Sequence, residues 1–338
     1  MVNDPSPKQS VRAFQAALDA ADASTVGQVL SRYCSSNLRW YGVHPFGELS
    51  GIEDVAGRFW QPFKTAWRHV QRRQDVFFGG RHGADGQEWV VSMGHLVGLR
   101  DAPWLGIPAT GKLSALRYAE FYRVEAGRIT AMSLFFDLID VMRQAGFDPL
   151  PHQRGAAGLV PGPRYHDGLL FEDRPPQQGA QTLALVEAMV DDLSRLNASG
   201  SDDCPPQRLA RFWHHDMAWY GPAGIGSTLT IERYQAQHQM PFRRGLTNKV
   251  FNGHMARFAE GDYAAFFGWP NLTHQPVGGF LGLPACERRV DMRVVDVYRR
   301  EGERLAENWV LIDLPHWLDQ QGVDVLARCR DWAQPTTS

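Results

Sequence analysis

The sequence lacks the features that would tie it to a membrane or to nucleic acid. No run of about 18 apolar residues occurs, so no segment is apolar enough to be a membrane span. Lys and Arg number 35 against 37 Asp and Glu, and no long basic run supplies the charge that neutralises phosphates. The N-terminus has no continuous apolar core of a signal peptide. We therefore predict a cytoplasmic protein with neither nucleic acid nor a membrane as a partner.

Motifs for metals, nucleotides and nucleophilic catalysis are missing as well. The four cysteines are widely spaced, which predicts reduced structural thiols. The chain has no HxH, HExxH or CxxC motif, so no metal site is recognisable. It also has no Gly-rich phosphate loop with a lysine and no Gly-x-Ser-x-Gly elbow. The sequence thus predicts neither a metal nor an organic cofactor.

What the sequence does contain is a duplication. Residues 106–150 align without a gap with residues 282–326, and 14 of the 45 positions are identical. Residues 30–64 align in the same way with residues 209–243, at a separation of 179. A repeat of this length is far beyond a solenoid unit, so each copy must be a complete domain with its own core. We predict one domain at residues 1–150, a Pro- and Gly-rich linker at 151–179 and a second domain at 180–330.

The periodicity changes within each copy. Both copies begin with amphipathic helical patterns and continue with segments rich in aromatic and β-branched residues, which predict strands. The predicted strands are residues 89–96, 113–124 and 129–136 in copy one, and 263–269, 290–299 and 305–312 in copy two. Helices followed by a sequentially connected sheet predict the α+β class. We expect each domain to be a cone-shaped α+β barrel, in which three helices wrap a curved antiparallel or mixed sheet.

Each predicted sheet has a second face that needs a cover. A fused pair of similar domains can cover both outer faces by packing the sheets together. We therefore expect an intramolecular pseudo-dimer. A homo-oligomer of the whole chain stays open.

Several spaced motifs occur in the same order in both copies. Copy one contains GIPATGK, an acidic residue before FYR, a hairpin to GRI and an ending D…QAG. Copy two contains WYGPAGIG, HQMPF, GLPA and ENWVLID…QQG. With these motifs both copies resemble the SnoaL-like polyketide cyclases of the nuclear-transport-factor-2-like superfamily. The resemblance implies a deep apolar pocket without metal or organic cofactor. It also implies that a carboxyl or His group deprotonates a carbon next to a carbonyl.

The sequence departs from the cyclase pattern on the last strand. The resemblance places the catalytic Asp of the family at Leu134 in copy one and Val310 in copy two, and neither side chain transfers a proton. A second pocket position, usually His, corresponds to Glu120 and Asp296. Each of these carboxyls is either a pocket base or the partner of an arginine. The arginines close to them in sequence are Arg117, Arg123, Arg293 and Arg299.

Histidines supply the other candidates for proton transfer. His95, in the segment SMGHLVG, can face inward on its strand beside Glu120. His238, on the predicted third helix of copy two, can join Asp296. A histidine on a strand is more often structural, so both roles are hypotheses. His44, in the loop after the first Trp-Tyr-Gly segment, is a weaker candidate for the pocket.

Aromatic residues recur at the first strand of each copy. Such side chains are core by default, although Tyr and Trp carry a polar tip that needs a partner when buried. We expect them to form a pocket wall that is also core. The predicted pocket residues besides His44 are Trp40, Tyr41, Trp219, Tyr220, Asn308 and Trp309.

Two aspartates that are identical in the copies have a simpler interpretation. Asp137 and Asp313 each precede a short helical pattern that stops near a glycine. An N-cap carboxylate and a glycine after the helix explain both without any chemistry.

Two functions remain open at this point. The first is a cofactor-independent acid/base enzyme, of the cyclase, isomerase or hydratase/dehydratase type, acting on an apolar small molecule that bears a carbonyl. Asp296 with His238 and Glu120 with His95 would be its catalytic pairs. The alternative is a non-catalytic small-molecule-binding or assembly protein, which the apolar Leu134 and Val310 favour.

Overall fold

The computed structural model describes residues 5–151, 153–201 and 203–334. These residues form two compact units. The first unit comprises residues 5–149, 168–171 and 324–334, and the second comprises the described residues of 150–167 and 172–323. Among the described residues, no helix combines the length and the hydropathy that a membrane crossing requires.

The helices and strands of the described residues are numbered along the chain. The helices are α1 (Pro7–Ala20), α2 (Val26–Tyr33), α3 (Ile52–Val55), α4 (Gln61–Ala66), α5 (Leu138–Gln144), α6 (Pro176–Ala198), α7 (Pro206–Leu209), α8 (Ile231–Tyr234), α9 (Met240–Gly245), α10 (Leu314–Asp319) and α11 (Val325–Ala333). The strands are β1 (Cys34–Gly42), β2 (Gly47–Ser50), β3 (Trp67–Arg81), β4 (Glu88–Arg100), β5 (Leu113–Glu125), β6 (Arg128–Phe136), β7 (Trp213–Tyr220), β8 (Ser227–Leu229), β9 (Leu246–Phe251), β10 (Ala256–Glu260), β11 (Tyr263–Phe267), β12 (Leu272–Pro276), β13 (Val290–Met292), β14 (Val294–Glu301) and β15 (Arg304–Ile312).

Each unit has the predicted α+β class. The sheet of the first unit has the order β2-β1-β6-β5-β4-β3, with β1 parallel to β6 and the other pairs antiparallel. The second unit repeats this pattern as β10-β11-β14-β15-β7-β8, and adds a three-stranded sheet β13-β12-β9. A closed barrel requires its first and last strands to pair, which β2 and β3 do not do among the described residues. The predicted barrel is therefore an open sheet.

Two features of the fold differ from the prediction. The third helical stretch is interrupted in both copies by a π-helical turn, at Ala56–Trp60 and at Gln235–Gln239. The sequence analysis also missed β3. This strand is rich in arginine, and its pairing with β4 has two irregularities, which break the alternation of apolar and polar residues.

The last helix, α11, is grouped with the first unit, although the predicted second domain includes it. The rings of Trp332 and Phe147 lie 5.5 Å apart, and Cys329 is fully buried. These contacts explain the grouping, because burial of apolar surface outweighs proximity in sequence.

The capping role of the two repeated aspartates is confirmed. The Asp137 carboxylate accepts a hydrogen bond from the Asp140 amide at 3.1 Å, and the Asp313 carboxylate accepts one from the His316 amide at 3.2 Å. Gly146 follows α5 with φ of 96°, a conformation that a side chain disfavours.

Candidate functional site

The inner face of the second-unit sheet gathers most of the predicted polar groups. Tyr298 pairs with Asn308 and Asn308 with Trp219 across neighbouring strands, and Asp296 pairs with Phe266. Residues that face each other across strands, and residues two apart along a strand, share one face. We define this inner face by Trp219, Phe266, Asp296, Tyr298 and Asn308.

Asp296 is a desolvated carboxyl without a cation beside it. It is half-buried, and it accepts hydrogen bonds from the Tyr298 hydroxyl and, at 3.4 Å, from Asn308 Nδ2. Among the described residues it forms no ion pair. Burial raises the pKa of Asp296 to about 6, because the charged form loses hydration that its neighbours only partly replace.

Arg257, a cation on the same face as Asp296, forms an ion pair with Glu187. Arg257 on β10 pairs with Phe266 on β11, and Phe266 in turn pairs with Asp296 on β14. Arg257 Nη1 is 3.1 Å from a carboxylate oxygen of Glu187 on α6, and its Nη2 is 3.0 Å from His254 Nδ1. Glu187 therefore takes the charge that could otherwise hold Asp296 ionised.

His238 reaches the inner face from the π-helical turn Gln235–Gln239. Its ring stacks on Trp219, with centroids 4.1 Å apart and an interplanar angle of 15°. The Tyr234 ring lies 5.6 Å away. Burial lowers the pKa of His238 to about 3, so the imidazole is neutral at physiological pH. Its Nδ1 is buried and has no hydrogen-bond partner among the described residues.

Asp296 and His238 face the same interior without touching. No hydrogen bond or ion pair joins them in the described part of the chain. Tyr234 lies between them: its ring is near His238, and the negative charge of Asp296 helps to raise its pKa, after the larger effect of burial. Tyr234 is half-buried like Asp296, so part of each side chain remains accessible to solvent, whereas His238 is buried.

The corresponding carboxyl in the first unit is locked in an ion pair. Glu120 is fully buried, and its Oε2 lies 2.5 Å from Nη1 of Arg72 on β3. Arg72 also contacts Asp19 at 3.0 Å, and its guanidinium lies 5.1 Å from the centre of the Tyr118 ring. An arginine partner for Glu120 was predicted as one possibility, but among residues close to it in sequence. Arg72 could not be predicted, because β3 was not recognised from the sequence.

The structure does not bring His95 to Glu120. On β4, Ser92 pairs with Glu120 and His95 pairs with Arg117, so the two side chains leave opposite faces of the sheet. His95 Nδ1 lies 3.7 Å from a carboxylate oxygen of Asp75 instead. The prediction that Glu120 and His95 form a pair is therefore wrong. His95 is three residues after Ser92, so strand alternation places its side chain on the outer face.

The predicted aromatic pocket is divided between two faces of each sheet. Trp40 packs inside, with its ring 5.0 Å from Phe59, whereas the adjacent Tyr41 faces the other side. Trp219 and Asn308 likewise face inward. Tyr220 and Trp309 stack on each other outside, at 5.5 Å. These two therefore do not line the space beside Asp296.

The outer face of the second-unit sheet has a cleft of its own. Tyr220 borders a cleft of about 730 Å³ together with Arg299 and Glu307. Trp309 Nε1 donates a hydrogen bond to the Pro161 carbonyl at 2.8 Å. His44, the last of the predicted pocket residues, lies in the turn between β1 and β2.

Sequence reasoning missed three residues of the second-unit interior. Tyr234 was hidden because a helix was expected to continue regularly through the π-helical turn. Tyr298 is two residues after Asp296, and its alternation with Asp296 is a signal that could have found it. His274 lies in β12 and is fully buried. The described residues contain no group of three or more His, Cys, Asp or Glu that could hold a metal ion.

Comparisons with known proteins concern both halves of the chain. The profile of the SnoaL-like polyketide cyclases matches residues 191–321, and the profile of the SnoaL-like domain matches residues 11–132. No curated protein matches the chain.

Each of the following solved structures matches less than half of this chain. A protein of Jannaschia sp. CCS1 named as a SnoaL-like polyketide cyclase is 22% identical, with 41% of this chain and 94% of that chain covered and a TM-score of 0.32. An NTF2-like protein of Burkholderia thailandensis E264 is 20% identical, with 42% and 98% covered and a TM-score of 0.32. A protein of Catenulispora acidiphila DSM 44928 with a ketosteroid isomerase-like fold is 18% identical, with 46% and 100% covered and a TM-score of 0.31. At these values the likeness says nothing about the reaction. From the two profile matches, both halves of the chain belong to the SnoaL-like family, and the chain is a tandem duplication of that domain.

Proposed function

We propose that the second domain is a cofactor-independent acid/base enzyme and that Asp296 is its general base. The substrate class is an apolar small molecule with a carbonyl group, and the reaction is a cyclisation, an isomerisation or a hydration/dehydration. His238 is the neutral hydrogen-bonding partner in the same interior. The first domain then has a structural or binding role.

The observation that carries this proposal is the contrast between Asp296 and Glu120. Both occupy the same position of the duplicated strand. Glu120 is fully buried and forms an ion pair with Arg72. Asp296 is half-buried without an ion-pair partner among the described residues, and its raised pKa suits proton transfer near neutral pH.

The geometry supports a simple sequence of proton movements. The Asp296 carboxylate removes a proton from the carbon next to the carbonyl. The C–H electron pair forms a carbon–carbon double bond, and the carbonyl π pair moves to oxygen as an enolate. A neutral imidazole can donate its N–H to that oxygen, as Nδ1 or Nε2 of His238 would. Asp296 then returns the proton to carbon or to oxygen, which restores the carboxylate.

The test uses a simple apolar ketone. 1-Tetralone is incubated with the protein in D₂O, and the loss of the C2 protons is followed by ¹H NMR. We expect the wild type to accelerate exchange and Asp296→Asn to reduce it to the uncatalysed rate. Asp216→Asn, which removes an exposed carboxyl from β7, is the matched control and should exchange like the wild type. Binding of 1-tetralone without faster exchange would instead favour the non-catalytic binding protein.

A further inference from the structure

His274 is a buried imidazole with one nitrogen in use. It lies in β12, is fully buried, and accepts at Nε2 a hydrogen bond from Trp317 Nε1 of α10 at 2.8 Å. An indole N–H can only donate, so Nε2 must carry the lone pair. Burial lowers the pKa of His274 to about 4, so the ring is neutral at pH 7 and its single proton is on Nδ1.

The Nδ1–H group of His274 has no acceptor within the part of the chain that the structure describes. Nδ1 is buried and has no hydrogen-bond partner among the described residues. A buried donor without an acceptor is costly, and native proteins nearly always satisfy such groups. The bond to Trp317 explains one nitrogen of the ring and leaves the other nitrogen without a role.

A row of aromatic rings connects His274 with the candidate site. Ring centroids are 5.5 Å apart for Trp317 and Phe280, 5.6 Å for Phe280 and Phe242, and 5.8 Å for Phe242 and His238. Phe242 is half-buried, as Asp296 and Tyr234 are, so this end of the row is partly accessible to solvent. Two imidazoles, each with an unpaired Nδ1, thus lie at the ends of one aromatic row.

The first domain shows that the fold does not need these groups. Val141 aligns with Trp317. Ser114 aligns with Val290. Gly98 pairs with Ser114 and His274 pairs with Val290, so Gly98 occupies the place of His274 in the first domain. The side chains of Gly98 and Val141 have no hydrogen-bond donor, so the strand pairing at this position forms without an imidazole–indole hydrogen bond.

We propose that His274 Nδ1–H binds a second oxygen of the substrate. The ligand is then a compound with two oxygen functions at the two ends of an apolar, ring-containing body: an enolisable carbonyl near Asp296 and His238, and an acceptor oxygen at His274. This inference rests on the proposed function for the first oxygen only. His274 is a positioning residue and takes no part in the proton transfer.

The experiment compares two probes that differ in one oxygen. 6-Acetyl-1-tetralone carries an acceptor at the far end of the ring system, and 6-isopropenyl-1-tetralone replaces that oxygen with CH₂ in the same planar shape. Affinities are measured by titration calorimetry for the wild type and for His274→Phe/Trp317→Phe. The double variant removes both partners of the hydrogen bond, so no indole N–H is left unpaired. Trp317→Phe alone is the control that keeps the imidazole.

We expect the ratio of the two affinities, acetyl over isopropenyl, to be about five-fold higher in the wild type than in the double variant. Trp317→Phe should keep a ratio above that of the double variant, because its imidazole can still place the proton on Nδ1. Equal ratios in the wild type and the double variant would overturn the proposal. Asp296→Asn should keep the ratio while it loses C2 exchange, so a failure of the proposed function leaves this outcome unchanged.

Discussion

Arg72 and Glu120 form a buried ion pair, with Nη1 2.5 Å from Oε2, at the position that Asp296 occupies in the second domain. One copy of the duplicated strand thus carries a carboxyl paired with a guanidinium. The other carries a carboxyl that accepts hydrogen bonds but forms no ion pair among the described residues. Because the two carboxyls sit in otherwise similar sheets, their stabilities and reactivities can be compared within one chain.

Loss of the Glu120 charge should destabilise the protein. Glu120→Gln leaves the partly exposed Asp19 as the remaining carboxylate partner of Arg72 among the described residues, and we expect a loss of about 3 kcal/mol of unfolding free energy. The loss is measured from the unfolding transition of the first domain in urea. Glu48→Gln, which breaks an exposed pair with Arg39, is the control and should change stability by less than about 0.5 kcal/mol. Equal effects of the two variants would contradict a buried ion pair.

Asp296→Asn should have the opposite effect on stability. The pKa of Asp296 is about 6 in the folded state against an ordinary 3.8, so the folded protein binds the proton more tightly. Its contribution to stability is present below about pH 4 and is lost as the pH rises to 6. At pH 7 the variant should be more stable than the wild type by up to about 3 kcal/mol, reduced by the partial exposure of the side chain. Denaturation between pH 4 and 8 checks this, and a variant less stable at pH 7 would show that Asp296 has a cationic partner.

The rate of C2 exchange should depend on pH through Asp296 alone. Exchange should rise with an apparent pKa near 6, as the carboxylate forms, and then level off. His238 stays neutral over this range because its pKa is about 3, so it adds no second inflection between pH 5 and 8. A bell-shaped profile would contradict this prediction, because it requires a second titrating group, a general acid, in addition to Asp296.

Replacement of His238 with phenylalanine, the residue at the aligned position of the first domain, should lower the rate of C2 exchange without unfolding the protein. His238→Phe copies Phe59, which packs on Trp40 as His238 packs on Trp219. We expect the fold to persist and C2 exchange to fall by about 100-fold, the usual effect of removing one donor to an enolate or oxyanion. The inflection near pH 6 should not move. Unchanged exchange would remove His238 from the mechanism.

The division of aromatic residues between the two faces gives a further test. Tyr220→Phe alters the outer face and should leave C2 exchange within about two-fold of the wild type. Trp219→Leu removes the ring that supports His238 and should lower exchange by about 10-fold, because a small displacement of a catalytic group is costly. The rates of the two variants, measured by the same NMR assay, show which face holds the site. A larger effect of Tyr220→Phe would move the site to the outer face.

The sequence was sufficient for the fold class and the duplication, and partly for the site. Asp296 and His238 were predicted together, and the structure places both in one interior. The Arg72 contact could not be predicted, because it depends on β3, a strand whose arginines and irregular pairing hide its period. His95, Tyr220 and Trp309 were placed with the inner residues because their strands were recognised but the register was not; a shift by one residue moves a side chain to the other face. The pairing of the two domains as a pseudo-dimer stays a prediction.

The π-helical turns have a consequence for the history of this chain. The turns Ala56–Trp60 and Gln235–Gln239 occupy aligned positions, 179 residues apart, so the extra residue entered the helix before the gene was duplicated. The backbone irregularity is therefore ancestral, while the side chain that it presents differs: Phe59 in one copy and His238 in the other. The two copies diverged by changing the residue on an inherited backbone support, with no need to change the support itself.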